Sequence, residues 1–209
     1  MIYDITPPIT AATKVWPGDT PLTREVVLEI SKGGSVTLSA IHSTVHLGAH
    51  ADGPNHYSAD GPGVGERSLE YYIGPCQVGH AMGTRGRRVR VDDLSGGIER
   101  VTAPRVLIRT DSFPDPTNWN ADFAALDPAL VDSLHARGVI TVGIDTPSVD
   151  SQDSKDLPAH KAFLRHDMSI IEGVTLKDVP EGTYELIALP LRLIGFDASP
   201  VRAVLRTIS

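Results

Sequence analysis

The segment HLGAHADGPNH, residues 46–56, constrains the local backbone more than any other part of the chain. It holds three of the eight histidines, together with an aspartate. His46, His50, Asp52 and His56 all occupy even positions, so an extended chain places them on one face. A helix advances about 100° per residue and would turn Asp52 away from the two preceding histidines. The spacing therefore predicts extended backbone.

A straight strand would nevertheless hold the first two histidines of this segment about 13 Å apart, too far to bind one metal ion. The chain must bend between them, and Gly48 is the residue that can adopt the unusual dihedral angles of such a bend. Gly53 and Pro54 then turn the chain again and direct His56 back toward the same centre. The segment is therefore interpreted as a metal site built at the end of a strand.

Nitrogen and oxygen donors without thiolate suit zinc, manganese or iron, and three ligands from one segment leave a coordination position open for catalysis. The single cysteine, Cys76, excludes an intramolecular disulfide and a Cys-rich zinc site, and we expect it to be buried and structural. A second ligand group is expected in residues 158–172. There His160 follows a proline, and Glu172 ends an apolar run where an unpaired carboxylate would be destabilising. The residues alone leave that pairing open.

Length and charge narrow the class of protein. The 209 residues predict one domain spanning 1–209. A net charge of −7 gives no basic surplus for nucleic acid. No apolar run approaches the roughly 18 residues that span a bilayer, and the first ten residues lack the pattern of a signal peptide, so no membrane association and a cytoplasmic location are expected.

The fold class is predicted as α/β, with a mixed β-sheet core and flanking helices. A hairpin is expected from the turn residues Lys32, Gly33 and Gly34 between two alternating segments. The clearest helix is 127–138, where Asp127 can cap and Gly138 can terminate, and a weaker helix is expected around 67–72. Strands are predicted at 24–30, 35–45, 89–91, 105–109, 139–144 and 184–189.

Residues 46–56 resemble the HxGTHxDxPxH signature of the metal-dependent hydrolases called the cyclase family, and most closely its bacterial kynurenine formamidase (arylformamidase) branch. Ala49 replaces the threonine of that signature, which alters no expected ligand. The resemblance extends over nearly the whole chain. It is carried further by WPGD at 16–19, GIDTPSVD at 143–150, the segment 160–172 and ELIALPLRLIGFDASPVRAVL at 185–205.

The resemblance implies a two-metal site, normally of zinc, with manganese or another divalent ion as the alternative. His46, His50 and Asp52 would hold one ion, and Asp52 would bridge to a second ion held with His160 and Glu172. The family fold is a swivelling β/β/α unit, and family members associate as homodimers or larger assemblies. Two further roles are implied: His56 as the catalytic acid/base and Trp16 as part of an aromatic substrate pocket.

The implied reaction is the hydrolysis of N-formyl-L-kynurenine to L-kynurenine and formate, a step of tryptophan degradation in the kynurenine pathway. A divalent metal lowers the pKa of bound water from about 15.7 to about 7, and a histidine can protonate the leaving aniline. Trp119 is a further candidate for the pocket wall. Arg109, Ser112 and Asp145 are weaker pocket candidates, for which structural ion pairing is the stronger interpretation. The alternatives are a related amidohydrolase acting on a cyclic amide such as isatin, and a metal-binding module without turnover.

Overall fold

A computed structural model describes residues 1–208. This part of the chain contains thirteen strands and two α-helices, joined by loops and short 3-10 turns. The helices are α1 (Pro128–Ala136) and α2 (Pro158–Arg165). The strands are β1 (Ile2–Asp4), β2 (Thr23–Leu28), β3 (Leu38–His42), β4 (His50–Asp52), β5 (Ile73–His80), β6 (Arg88–Val89), β7 (Arg105–Arg109), β8 (Ala125–Leu126), β9 (Thr141–Ile144), β10 (Ser169–Glu172), β11 (Gly182–Ile187), β12 (Ala198–Pro200) and β13 (Val204–Thr207).

Nine strands form one mixed sheet in the order β1-β13-β11-β5-β7-β9-β10-β4-β12. Its middle is parallel, because β5, β7, β9 and β10 pair side by side in the same direction. The strands on either side pair antiparallel, including β4 against β10 and β1 against β13. The predicted α/β class with a mixed sheet is confirmed, and strands outnumber helices as expected.

Each face of the sheet carries its own apolar core. Strand β7 illustrates this, because Val106 and Ile108 point into the core beneath the helices while Leu107 points into the opposite core. All three side chains are buried, which is the expected result when successive residues of a strand lie between two packed layers. The parallel block is therefore covered on both sides, and the ends of its strands become the accessible part.

The predicted helix at 127–138 is confirmed as α1. Asp127 accepts a hydrogen bond from the amide of Ala129, and Gly138 follows with a φ of 83°, which suits a helix terminus. The weaker helix expected around 67–72 is instead the 3-10 turn Leu69–Tyr71, too short to be an α-helix. Helix α2 was not predicted. None of the helices within residues 1–208 combines the length and the apolar character needed to cross a bilayer.

The predicted hairpin is confirmed as β2 paired antiparallel with β3, although both strands are shorter than expected. Gly33 terminates the connecting 3-10 turn with a φ of 88°. Every residue of the two strands is exposed, so the hairpin projects from the body of the chain. In contrast, Cys76 is fully buried in β5, as expected, and burial raises the pKa of its thiol to about 12.

Candidate metal centre

Two neighbouring strands bring the main metal-ligating side chains together. In the β4–β10 ladder His50 is directly opposite Glu172, and Asp52 lies two residues further along β4 on the same face. All three side chains are buried, and Asp52 is only 2% exposed. His160, also buried, comes from the first turn of α2. Segments more than a hundred residues apart in sequence thus meet at one point.

The backbone of residues 46–56 bends where the sequence required it. Gly48 has a φ of 61°, in the left-handed region that glycine adopts without strain. Pro54 begins a 3-10 turn that ends at His56, and the His56 ring lies 4.2 Å from the His46 ring between centroids. The regular extended part is shorter than predicted, because only His50–Asp52 is strand. His46 reaches the centre through the bend rather than along a strand.

Asp52 lies between histidines on both of its carboxylate oxygens. Its Oδ1 is 3.3 Å from His46 Nδ1 and 3.5 Å from His50 Nε2, while its Oδ2 is 3.5 Å from His160 Nε2. Glu172 completes the arrangement, with Oε2 3.2 Å from His50 Nε2 and Oε1 3.8 Å from His160 Nε2. Each carboxylate therefore has one oxygen directed toward each side of the centre.

Two sets of three donors satisfy the spacing of a metal site. In each set the donor atoms lie within 4.8 Å of one another: His50, Asp52 and Glu172 form one set, and His46, Asp52 and His56 form the other. The second set is informative about His56, because it places this histidine within ligand range as well as at the edge of the centre. Asp52 belongs to both sets, as a bridging ligand would.

Unpartnered buried atoms show that the donor set fits a cation. His50 Nε2 and both carboxylate oxygens of Asp52 are buried and have no hydrogen-bond partner in the described part of the chain. Buried polar atoms are nearly always satisfied, and a buried carboxylate is strongly destabilising unless it is paired. Imidazole nitrogen and carboxylate oxygen are also the donors that zinc and manganese accept. The arrangement is therefore chemically suited to hold divalent metal.

Outer contacts orient each histidine. His50 Nδ1 lies 2.9 Å from the carbonyl oxygen of Gly48, and His160 Nδ1 lies 2.9 Å from Asp150 Oδ2. With the proton on Nδ1, each ring donates outward and presents the lone pair of Nε2 to the centre. His46 has the opposite orientation, since its Nε2 is 3.0 Å from Asp197 Oδ2 and its Nδ1 faces Asp52.

Asp150 and Asp197 support the ligand histidines, although neither was predicted to do so from the sequence. Asp150 also accepts hydrogen bonds from the amides of Ala159 and His160, so one carboxylate both caps α2 and orients the ring of His160. Asp150 ends GIDTPSVD and Asp197 lies in GFDASP, and both motifs carried the family resemblance. The signal was present in the sequence, but nothing in the residue spacing connected Asp150 to His160, 10 residues on, or Asp197 to His46, 151 residues away.

Charge within the centre shifts the pKa values of its histidines. Burial alone would lower the pKa of His46, but the carboxylates of Asp52, Asp197 and Glu172 outweigh it and raise that pKa to about 9. For His160 burial is likewise outweighed, by Asp150, Asp52 and Glu172, and the pKa rises to about 10. Burial lowers the pKa of His56 below its usual value. Without metal, His46 and His160 are thus cationic at neutral pH.

The centre opens into a cavity of about 780 Å³. All six histidine and carboxylate residues predicted as ligands or acid/base meet around it, and five of them line its wall: His46, His50, His56, His160 and Glu172. Trp16 and Trp119 also line it and pack edge to face with ring centroids 5.6 Å apart. Phe113 extends this aromatic wall.

The weaker pocket candidates fall into two groups, those that line the cavity and those that do not. Asp145 lines the cavity together with Trp119, whereas Arg109 and Ser112 lie behind the wall, in ion-pair and hydrogen-bond contacts. The four histidines outside the predicted site, at positions 42, 80, 135 and 166, do not line the cavity.

The Cyclase family profile matches residues 3–151, well over half of the chain. The chain belongs to the Cyclase family. A solved structure described as a potential metal-dependent hydrolase with cyclase activity shares 28% sequence identity and a TM-score of 0.84, covering 98% of this chain and 96% of that one. A second, described as a predicted metal-dependent hydrolase from Bacillus stearothermophilus, shares 29% sequence identity and a TM-score of 0.81, covering 98% of this chain and 97% of that one.

More distant Cyclase-like structures include an isatin hydrolase bound to the product analogue thioisatinate, with 18% identity and a TM-score of 0.82. The match covers 100% of this chain and 92% of that one. At this identity the similarity establishes the fold alone. The predicted family and the swivelling fold of its members are confirmed, while the arylformamidase branch stays a prediction.

We predict that the metal-free protein loses stability as the pH rises from 6.5 to 9. The pKa values of His46 and His160 are raised in the folded state, so their stabilisation is complete below the unfolded value of 6.5 and is lost as pH rises through about 9 to 10. The expected loss over this range, for the two groups together, is on the order of 5 kcal/mol. Urea unfolding of chelator-treated protein across this range measures it.

The matched control is His46→Gln, which removes one of the two groups while leaving other titrating residues in place. Its stability should fall less steeply with pH than that of the wild type. Equal slopes would mean that His46 does not ionise as described. Added zinc should stabilise the wild type more at pH 9 than at pH 6.5, because a metal must displace the protons of its histidine ligands.

Proposed function

We propose that this protein is a hydrolase whose reaction depends on a pair of divalent metal ions. The observation that carries this proposal is the buried cluster in which both oxygens of Asp52 lack a partner and face histidines on either side. His46, His50 and Asp52 would hold one ion. Asp52 would also help to hold a second ion, together with His160 and Glu172; the donor spacing itself groups His50 with Glu172 and His46 with His56, with Asp52 in both sets. Zinc is the proposed metal, since the donors are histidine and carboxylate, with manganese the alternative.

A divalent cation bound there would supply Lewis acidity, which lowers the pKa of a coordinated water and polarises an amide carbonyl. The chain itself provides the geometry for this chemistry. Glu172 Oε1 accepts a hydrogen bond of 2.7 Å from the amide of Val149, which fixes the carboxylate before any ligand binds. The ring contacts to Gly48 and Asp150 fix His50 and His160 in the same way. The ligand set is thus pre-organised.

His56 is the proposed acid/base. Its side chain is 36% exposed at the cavity wall, the most open of the clustered histidines, and burial among cationic neighbours lowers its pKa. A neutral imidazole at neutral pH can accept a proton from the attacking water. The imidazolium formed in this way can then donate that proton to the departing amine nitrogen. Asp197 Oδ2, 3.8 Å from His56 Nδ1, is placed to stabilise the protonated ring.

N-formyl-L-kynurenine is the proposed substrate, and the aromatic wall supports this choice. Trp16, Phe113 and Trp119 offer edge and face contacts to an aryl ring whose formamide group points at the metal centre. Water adds to the formyl carbon, the carbon–nitrogen bond breaks, and the nitrogen gains a proton. The products of the proposed reaction are formate and L-kynurenine, and the proposed enzyme class is therefore the arylformamidases of tryptophan degradation.

Hydrolysis of a cyclic aryl amide such as isatin is the second candidate. It is favoured by the isatin hydrolases of the same fold, and the same aromatic wall would accommodate that ring. The chemistry at the carbonyl would be identical, because water again adds to an amide carbon and releases an aniline nitrogen. The two candidates differ only in whether the leaving amine stays attached to the product.

We predict that zinc-loaded protein releases formate from N-formyl-L-kynurenine and that His56→Ala lowers kcat about a hundredfold to ten-thousandfold. The reason is the loss of the group that moves the proton to the leaving nitrogen. Formate production and bound zinc are measured on the same samples. His135→Ala, an exposed histidine of α1, is the matched control and should match the wild type.

Three results would change the proposal. No formate release, combined with ring opening of isatin, would favour the cyclic amide. Loss of zinc from His56→Ala together with loss of turnover would make His56 a ligand, in line with its place in one of the two donor sets. Absence of turnover on both substrates by a zinc-loaded protein would favour a metal-binding module.

A homodimer is the proposed assembly, with the β2–β3 hairpin at the interface. A two-stranded hairpin is at best marginally stable alone in water. Here Val26, Val27 and Ile41 are 46%, 54% and 79% exposed. Large apolar side chains clustered on a projecting element are typical of protein–protein contacts.

We therefore predict that Ile41→Asp shifts the protein from dimer to monomer, because a charge would be buried at the interface. Light scattering during gel filtration at micromolar concentration measures the mass. Leu164→Asp, which changes an exposed leucine of α2, is the control and should leave the mass unchanged. A wild-type mass of 22.4 kDa would contradict the dimer.

A further inference from the structure

The carboxyl ends of the parallel strands carry acidic residues in addition to those of the metal centre. Glu172 ends β10, while Asp145 follows β9 and Asp111 follows β7 by two residues. All three residues line the same cavity. In sheets with parallel strands, ligands bind at this edge because the strand ends and their loops converge there. The two aspartates therefore need an explanation beyond the metal ions, which the ligand set already accounts for.

Asp111 has an unusual backbone. Its φ is 52°, in the left-handed region that non-glycine residues seldom occupy. A buried carboxylate holds it there, since Asp145 Oδ2 accepts hydrogen bonds of 2.8 Å from the Asp111 amide and 2.9 Å from the Thr110 amide. Asp145 Oδ1 accepts a third, of 2.6 Å, from the Thr110 hydroxyl. Strained backbone of this kind persists where the surroundings enforce it, and it concentrates at ligand sites.

The side chain of Asp111 is fixed as firmly as its backbone. Arg109 Nε donates to Oδ1 at 2.8 Å, and a second guanidinium nitrogen donates to Oδ2 at 2.5 Å. This bidentate contact uses one edge of the carboxylate. The side chain remains 31% exposed at the cavity, so its other lone pairs are accessible to a ligand. An ion pair with Arg109 alone would not require a left-handed backbone at the cavity wall.

Lys177 brings a cation to the same region. It lines the cavity and is exposed, while its neighbours Leu176 and Val179 are anchored in the core. Its chain neighbour Asp178 lies close enough to Arg109 to raise the pKa of that guanidinium, although less than Asp111 does by direct hydrogen bonding. Lys32 is the one lysine within residues 1–208 that pairs with a carboxylate, so the ammonium group of Lys177 is available to a ligand.

We infer that Asp111 and Lys177 form a subsite for the zwitterionic amino acid end of the substrate. Asp111 binds the α-ammonium group, and Lys177 binds the α-carboxylate. The inference rests on the proposed function, because it presupposes an aryl formamide at the metal centre. The inference goes beyond the proposed function because it assigns substrate specificity. The subsite makes the enzyme prefer aryl formamides that carry an amino acid group over aryl formamides that carry none.

The test compares four aryl formamides: N-formyl-L-kynurenine, its decarboxylated amine, its deaminated acid, and formanilide, which has neither charge. The measurement is kcat/KM for each, expressed relative to formanilide. Wild type should prefer the doubly charged compound. Lys177→Met should lower the relative kcat/KM of the two carboxylate-bearing substrates about tenfold, the loss of one charge-assisted hydrogen bond. Asp111→Asn, which tolerates a positive φ, should lower that of the two amine-bearing substrates by a similar factor.

Control variants distinguish the effect of a lost charge from the effect of an altered structure. Lys161→Met alters an exposed lysine of α2 outside the cavity and should keep every ratio. Asp111→Gly keeps the left-handed backbone without the carboxylate and should reproduce the selectivity of Asp111→Asn. Lys14→Met tests the other lysine of the cavity wall.

The outcomes distinguish the two proposals. Turnover of no formamide by zinc-loaded wild type would overturn the proposed function itself. Turnover with ratios that are unchanged in both the Lys177 and Asp111 variants would overturn only the subsite. A loss of carboxylate preference in Lys14→Met but not in Lys177→Met would overturn the assignment of Lys177.

Discussion

The structure depends on one buried carboxylate. Asp52 is 2% exposed, its two oxygens have no hydrogen-bond donor within residues 1–208, and three histidine nitrogens lie within 3.5 Å of them. A carboxylate in such a position is stable only when positive charge surrounds it. Without metal that charge is a proton on His46 and another on His160, whose pKa values rise accordingly. Divalent cations would supply that positive charge more effectively, and their binding would displace the protons from the two histidines.

The sheet explains how these groups can be held at such short separations. Antiparallel pairing of β4 with β10 fixes His50 opposite Glu172, and the parallel block beneath directs strand ends into the same cavity. Both faces of the block are buried in apolar cores, so the strand ends have little freedom to shift. The rigid part of the fold thus carries the ligands, while residues that would discriminate between substrates lie in the loops beyond it.

Much of the centre could be predicted because its constraints are local. The histidine spacing and the need for a bend at Gly48 follow from backbone geometry, and the observed φ of 61° at Gly48 agrees. Asp150 and Asp197 could not be predicted this way. They act on rings 10 and 151 residues away in sequence, through contacts that exist only after folding.

The helices and strands likewise include some that the sequence predicts and some that it does not. Helix α1 was predictable because Asp127 and Gly138 mark its ends. Helix α2 also begins with a proline, Pro158, but Leu157 before it makes no side-chain cap. The capping carboxylate comes instead from Asp150, which precedes the helix by several residues. The hairpin was predictable from its alternation of apolar and polar residues. The exposure of every residue in both strands was not predictable, because alternation indicates one buried face and the chain alone provides no surface to bury it.

The most direct measurement of the central claim is the zinc content of protein dialysed against the metal. Wild type should retain about two ions per chain, and Asp52→Asn, which keeps the size of the side chain but removes its charge, should retain at most one. Asp60→Asn, at an exposed position, should retain as much as the wild type. Equal zinc content in Asp52→Asn and wild type, or none in either, would contradict the account.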